Sequence, residues 1–238
     1  GPLTVPPAYA LRIAPWMLRF AAACRPGRVA ASIAAQTALM DLSRDELQPF
    51  LRATGTEGML RKDGNLQVYE SDAEFAAAAP GWAARAAHGI AFRHVERDEM
   101  AAIQPGLAPR FIRGTFTPGW YSIDDPRLYT LALAEHFRAR GGRIEVAAVT
   151  RLSATDTGIV AETADGRRLI AAQAVLAAGA HSHRLARTLG ERIPLETERG
   201  YNTTLPPDAL DLRTQVTFGG HGFVVTRLST GIRVGGAF

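Results

Sequence analysis

Cysteine and lysine are almost absent from this chain, and each scarcity excludes something. Cys24 is the only cysteine, so no disulfide can form within the chain. The simplest place for a lone thiol is an apolar interior, in a protein of a reducing compartment. Lys62 is the only lysine among 27 basic residues. It stands in Arg-Lys-Asp-Gly without the glycine-rich run of a P-loop, so that phosphate site is set aside. All other basic residues are arginines. They are scattered rather than clustered, which argues against a nucleic-acid face despite a net charge of +4.

Long apolar runs are missing too. The stretch from Val29 to Met40 is too short to span a membrane and is broken by Ser32, Gln36 and Thr37. The first residues do not read as a signal peptide. Neither end reads as a natural terminus: the chain lacks an initial Met, and Gly235-Gly236-Ala237-Phe238 stops just after a strand-like run. The expectation is an excerpt of a longer protein. Among the six histidines, His181 and His183 flank a turn, but no third ligand has metal spacing. A solvated helix start accounts for them better, and no metal is expected.

What is present fits one large or two small globular domains. The chain has 238 residues, 47% of them hydrophobic and 21% charged, enough to bury a sizeable core. Residues 1–54 read as helical, with Pro15 inside the first helix and a break at Cys24-Arg25-Pro26-Gly27. Ser43 and Glu46 have capping-box spacing, which would split the second helix. Residues 59–61 and 66–69 read as two strands joined at Asp63-Gly64-Asn65, a hairpin signal. An Ala-rich helix follows at about 72–87, then a short helix capped by Asp98 and a strand at 111–116. Asp124-Asp125-Pro126 marks a helix start, with Asp125 as N-cap and Pro126 at the first helical position. Capping explains this acidic pair better than acid–base or metal chemistry does.

After Gly141-Gly142 the pattern turns to β. Strands are predicted at 143–146 and 149–152, a hairpin at 159–163 and 168–170 across Asp165-Gly166, and a buried strand at 175–178. From Arg199 onward further strands are predicted at 201–205, 215–218, 223–227 and 232–234. The run Val175 to Ser182, V-L-A-A-G-A-H-S, carries the most information. An apolar strand ends in small residues that let the backbone approach a bulky ligand. A helix then begins at Ala180-His181-Ser182, beside which an anion would be favoured. An ordinary tight turn between strand and helix explains the same residues.

The order of the surrounding motifs adds a resemblance. It rests on G-N-L-Q-V-Y at 64–69, E-M-A-A-I-Q-P at 99–105, D-D-P-R-L-Y at 124–129 and G-G-R-I-E-V-A-A-V-T-R-L at 141–152. The A-A-G-A-H-S turn, I-P-L-E-T-E-R-G-Y-N at 193–202 and V-V-T-R-L-S-T-G-I-R-V-G-G at 224–236 complete it. Together they resemble the FAD-dependent D-amino-acid oxidase superfamily, nearest to the bacterial D-amino-acid dehydrogenase branch (small subunit type). Only the central portion is represented. No G-x-G-x-x-G occurs in the 238 residues, whereas that fingerprint opens the family's chain and holds the FAD pyrophosphate. The family's closing segment, with its G-L-R-P-like motif, is not found either.

The resemblance implies a fold of α/β plus α+β character, a two-layer FAD-dependent oxidoreductase without its N-terminal fingerprint unit and its C-terminal flavin segment. It divides the chain into a helical segment (1–54), a first part of a substrate domain (55–122), the central part of an FAD-binding domain (123–195) and a second part of the substrate domain (196–238). For FAD it implies Val149, whose backbone reads the adenine edge, and Ala178, Gly179 and Ala180, which pack on the cofactor. For substrate it implies Tyr201, Phe223 and Arg227. Each has a plain structural alternative: core strand, tight turn, rim aromatic or solvated arginine.

The implied chemistry is hydride transfer from a small D-amino acid to flavin. Electrons then pass to a membrane quinone pool or another carrier, in a cytoplasmic protein for which a peripheral place on the inner membrane is the alternative. No catalytic acid or base is named. Two alternatives stand beside this: a related enzyme acting on glycine, sarcosine or a D-proline derivative, and a non-catalytic fragment or binding module.

Overall fold

The computed structural model describes residues 7–195, 197 and 199–237. They fall into two compact units, residues up to Gly58 with Ala87–Gly89, and Met59–Ala86 with the chain from Ile90 onward.

The first unit is built on α1 (Pro7–Ala23) and α2 (Pro26–Thr54). Pro26 sits at the start of α2, where its missing N–H costs no hydrogen bond. The capping box expected at Ser43 does not divide α2, and Pro49 also lies within the helix. Inside a continuous helix the N–H groups near Ser43 are already taken by the preceding turn, so there is nothing to cap. α2 ends where it should, at Gly55 with φ 67, whose left-handed backbone lets the Thr56 N–H donate to Leu51 O at 2.9 Å. Cys24 is exposed rather than buried, because it falls in the short link between the two helices.

The second unit carries the sheets. The strands are β1 (Leu60–Arg61), β2 (Asn65–Tyr69), β3 (Arg93–Glu96), β4 (Arg113–Thr117), β5 (Ser122–Ile123), β6 (Val149–Thr155), β7 (Gly158–Thr163), β8 (Arg168–Ala171), β9 (Tyr201–Leu205), β10 (Gln215–Phe218), β11 (Phe223–Leu228) and β12 (Gly231–Ala237). The helices are α3 (Asp72–Ala87), α4 (Arg97–Ile103), α5 (Pro126–Ala139) and α6 (Ser182–Thr188). Seven strands form one sheet in the order β3-β4-β2-β10-β11-β12-β9. The parallel pair β2–β10, with Leu66 opposite Val216, joins its early strands to its late ones. Alternation places Leu66, Val68, Val95, Val216, Val225 and Ile232 on one face, where Met100 of α4, Phe111 and Leu212 complete the core. A three-stranded sheet, β6-β7-β8, stands apart from it.

Several expectations are corrected. Residues 59–61 and 66–69 do not form a hairpin. β1 pairs with β5, and β2 with β4 and β10. Arg61 explains the diversion, since it bonds Asp63 at 2.9 Å and Asp124 at 2.8 Å and so anchors β1 beside β5. Asp98 lies in the first turn of α4 and is not its cap. Residues 143–146 and 175–178 are not strands. A strand persists only where its backbone groups find partners, and no described strand runs beside either segment. Val146 is 96% exposed and Val175 92%, so the predicted burial is absent as well.

Candidate functional site

The helix that follows the acidic pair is placed by local chemistry. Asp125 Oδ1 accepts from the N–H groups of Arg127 at 2.8 Å and Leu128 at 3.0 Å, and Pro126 opens α5. Asp124 instead accepts from Arg61. Both carboxylates are therefore committed to structure, as the capping reading expects.

Two clefts open on the second unit. The first, of about 510 Å³, is lined by Ala147, Val149, Thr150, Ala178, His181, Arg184 and Leu185. β6 is the edge strand of its sheet. Its register slips between Val149 and Arg151, so Thr150 is the extra residue of a bulge. Farther along β6, the N–H and C=O of Leu152 are both bonded by Thr188 Oγ1 of α6, each at 2.9 Å. This clip fixes α6 against β6 and sets the far wall of the groove. The turn 178–181 enters α6 through a single 3₁₀ turn, Gly179–His181, with Gly179 at φ 55. A Cβ added at Gly179 would meet nothing, so glycine serves the backbone conformation there.

The second cleft, of about 250 Å³, is lined by Tyr201, Asn202 and Thr203 of β9, Val234, Gly235 and Gly236 of β12, Phe223 of β11, and His221. Phe223 stacks on Phe218, with ring centroids 4.7 Å apart. The side chain of His221 is held from behind: its Nε2 lies 2.9 Å from Glu70 Oε1, and Arg110 Nε lies 3.0 Å from the same oxygen. Gly236 has φ 123, and a Cβ there would lie 2.5 Å from Gly222 O, so only glycine lets β12 pass the start of β11 so closely.

The expected site residues divide between these clefts. Val149 and Ala178, far apart in sequence, face one groove. Gly179 and Ala180 are exposed in the adjoining turn and do not line it. Tyr201 and Phe223 share the other cleft, but Arg227 does not reach it. Arg227 sits farther along β11 opposite Ile232, with its side chain exposed. Sequence reasoning passed over Arg184 and His221 and assigned His181 to a solvated helix start, whereas it lines the larger groove. The spacing of His181, Arg184 and Leu185, at i, i+3 and i+4, was the available signal, since it puts all three on one side of a helical turn. His221, between glycines in a strand connection, gave none. Among the described residues no group of His, Cys, Asp and Glu could hold a metal ion.

Comparison with known proteins agrees with this architecture. The family model for FAD dependent oxidoreductase (DAO) matches residues 13–238. The D-amino-acid oxidase of Bradyrhizobium diazoefficiens is 28% identical over 99% of this chain and 56% of its own length. A D-amino acid dehydrogenase of Agrobacterium fabrum is 30% identical over 93% of this chain and 54% of its own. The chain thus spans about half the length of the curated relatives it matches. Among solved structures, glycine oxidase from Geobacillus kaustophilus superposes with a TM-score of 0.67 at 22% identity, covering 87% of this chain and 55% of that one. Iminodiacetate oxidase from Chelativorans superposes at 0.68 with 21% identity, covering 87% and 56%. These likenesses establish the fold. FAD is the family's cofactor, and the 510 Å³ groove suits part of it, with apolar walls for a ring and two basic side chains for an anion.

Proposed function

Because the chain belongs to the FAD dependent oxidoreductase family, we propose that its two clefts are the cofactor and substrate sides of an amine-oxidising site, in a D-amino-acid dehydrogenase. The observation that carries this reading is the sorting of the expected residues. Val149 and Ala178 fall in the larger groove, and Tyr201 and Phe223 in the smaller cleft. The names of the relatives support the substrate class. Residues 123–195 serve as the cofactor part, and 55–122 with 196–238 as the substrate part. The shared seven-stranded sheet of β2–β4 and β9–β12 supports that division.

Held against Val149 and Ala178, FAD would supply a two-electron acceptor for the oxidation of an amine to an imine, whose hydrolysis would give a keto acid and ammonia. The chain's own residues position and exclude. Phe223, Tyr201 and Val234 give the substrate side chain an apolar wall, while Asn202 and Thr203 offer hydrogen bonds at its rim. His221, fixed by Glu70, presents a ring whose place does not depend on substrate. No residue here is assigned as acid or base.

Electrons leave to a non-oxygen acceptor, with a quinone pool reached from the inner membrane surface as the candidate. No helix among the described residues is long and apolar enough to cross a membrane. The test is spectroscopic. Neutral D-amino acids are expected to bleach the flavin of the FAD-loaded protein, and an artificial dye to reoxidise it faster than oxygen. Rapid peroxide formation would instead make it an oxidase. The likeness to glycine oxidase supports a second reading, a related enzyme acting on glycine, sarcosine or a D-proline derivative. Sarcosine bleaching the flavin where no D-amino acid does would establish it.

A further inference from the structure

Before Asp41 the chain has no acidic residue. Arg12, Arg19, Arg25 and Arg28 are the only charged side chains in that stretch. They account for the whole net charge of +4, since basic and acidic residues balance from Asp41 onward. Arginine is no denser here than elsewhere; acid is what is missing. All four arginines are exposed. Among the described residues no carboxylate pairs with any of them, whereas Arg61, Arg113 and Arg167 are each held by two. The same stretch leaves large apolar side chains in the open. On α1, Tyr9, Arg12, Trp16, Arg19 and Phe20 follow at i, i+3, i+7, i+10 and i+11, a spacing that puts all five on one face. Trp16 and Phe20 stack with ring centroids 5.1 Å apart, and the Arg12 guanidinium lies 5.7 Å from the centre of the Tyr9 ring. None of the three rings is covered; Trp16 is 54% exposed. Leu11 and Leu18, farther round the helix, are exposed as well.

Aromatic rings and arginines interleaved on an exposed helix face suit the boundary between lipid headgroups and hydrocarbon. There the rings bury in the outer acyl layer, and guanidinium groups reach back to lipid phosphates. We infer that α1 docks this chain on an anionic lipid bilayer, with Tyr9, Trp16 and Phe20 turned inward. α1 carries two arginines mid-helix over only 17 residues, which suits lying in the plane of the surface, not spanning it. Charge selects this occupant over a second copy of the chain. A two-fold dimer through this face would set it against itself, arginine against arginine with no acid to pair it. An anionic membrane supplies the opposite charge, at roughly fivefold in affinity for each arginine near the surface. The contact stands on this face alone and does not depend on which reaction the chain serves.

The experiment is flotation of this 238-residue chain with vesicles of phosphatidylcholine alone, and of phosphatidylcholine mixed equally with phosphatidylglycerol, with affinity read from a lipid titration. Binding to the anionic vesicles is expected to be at least about tenfold tighter than to the neutral ones. It should fall toward the neutral level in about 1 M salt, where charges are screened within about 3 Å. Arg12→Gln with Arg19→Gln is expected to weaken anionic binding by at least about tenfold. Trp16→Ser with Phe20→Ser keeps the charge but removes two rings, and is expected to weaken it by a similar factor of at least about ten. All four side chains are exposed, so circular dichroism of both double variants should match the wild type. Tryptophan emission should shift to the blue on anionic vesicles, and Trp16→Phe, which keeps an apolar ring, should bind but lose the shift. No flotation with anionic vesicles, equal binding to both compositions, or a shift that survives Trp16→Phe would each overturn the proposal. Binding unchanged by loss of the rings would reduce the face to a general polyanion contact and overturn it too. So would a dimer in the absence of lipid that Trp16→Ser with Phe20→Ser abolishes, which would give the face to a second copy. No flavin or amine enters this readout, so vesicle binding and amine oxidation stand or fall separately.

Discussion

At the scale of single residues, the legible features were those whose cause is local. Asp125 caps α5 because a short acidic side chain before Pro126 meets the free N–H groups of Arg127 and Leu128. Asp125→Ala is expected to cost about 1 kcal/mol in urea denaturation, and Asp125→Asn much less. Tyr69 has a comparable role that no local pattern reveals. Its hydroxyl accepts from Trp82 Nε1 at 2.7 Å, with both side chains buried. Tyr69→Phe leaves that indole N–H without a partner, and a loss of about 1–3 kcal/mol is expected. Arg227 is the contrary case. Its place opposite Ile232, exposed and away from both clefts, predicts that Arg227→Ala changes stability by no more than about 0.5 kcal/mol and leaves KM unchanged in the FAD-loaded protein. A raised KM would return it to the substrate side. Arg184 escaped, and His181 read as solvated, because their place depends on β6, which a clip from Thr188 brings alongside α6.

At the scale of elements, the place of most strands was legible, but most of their partners were not: β2, β9 and β10 lie where expected although β2 pairs with β4 and β10 and β9 with β12, while the hairpin expected at 59–69 did not form. β7 and β8 pair across Asp165-Gly166 as expected. Residues 143–146 and 175–178 have strand-like sequences, but side-chain pattern alone cannot provide hydrogen-bond partners. The β7–β8 turn also carries a pH dependence. The Thr163 hydroxyl donates to Asp165, and Arg167 lies beside it, so the Asp165 carboxyl is held below its ordinary range. A depressed folded value means that the contribution is complete above the unfolded value and is lost as pH falls through the folded one. Wild-type stability should therefore drop on acidification below about pH 4, and Asp165→Asn should show a shallower drop. Parallel curves would remove the turn from the acid response. Gly231 marks a different constraint, with φ 138 and a Cβ position only 2.2 Å from Leu205 O. Gly231→Ala must push β12 away from β9, at about 1–3 kcal/mol of strain, and amide exchange should rise at Thr203–Leu205.

At the scale of the whole molecule, the resemblance and the family match agree on what class of protein this is, and the structure indicates how firmly this chain can hold FAD. The family's strongest hold on the cofactor is a pyrophosphate resting on a helix N-terminus beside its glycine fingerprint. That fingerprint does not occur in these 238 residues. What the chain offers is an open groove, with an edge strand at Val149, small residues near Ala178 and two basic side chains. Each neutral contact contributes about 1 kcal/mol net, and a charged one roughly 1.5–3 kcal/mol. Association opposes them with roughly 4–15 kcal/mol. The balance is weak, reversible binding, not a flavin carried through purification. FAD added to the purified chain and followed by gel filtration should leave the protein peak without a flavin band near stoichiometry. A stoichiometric band would mean that these few contacts are far stronger than their ordinary magnitudes, or that the groove closes around its ligand in a way its open form does not reveal.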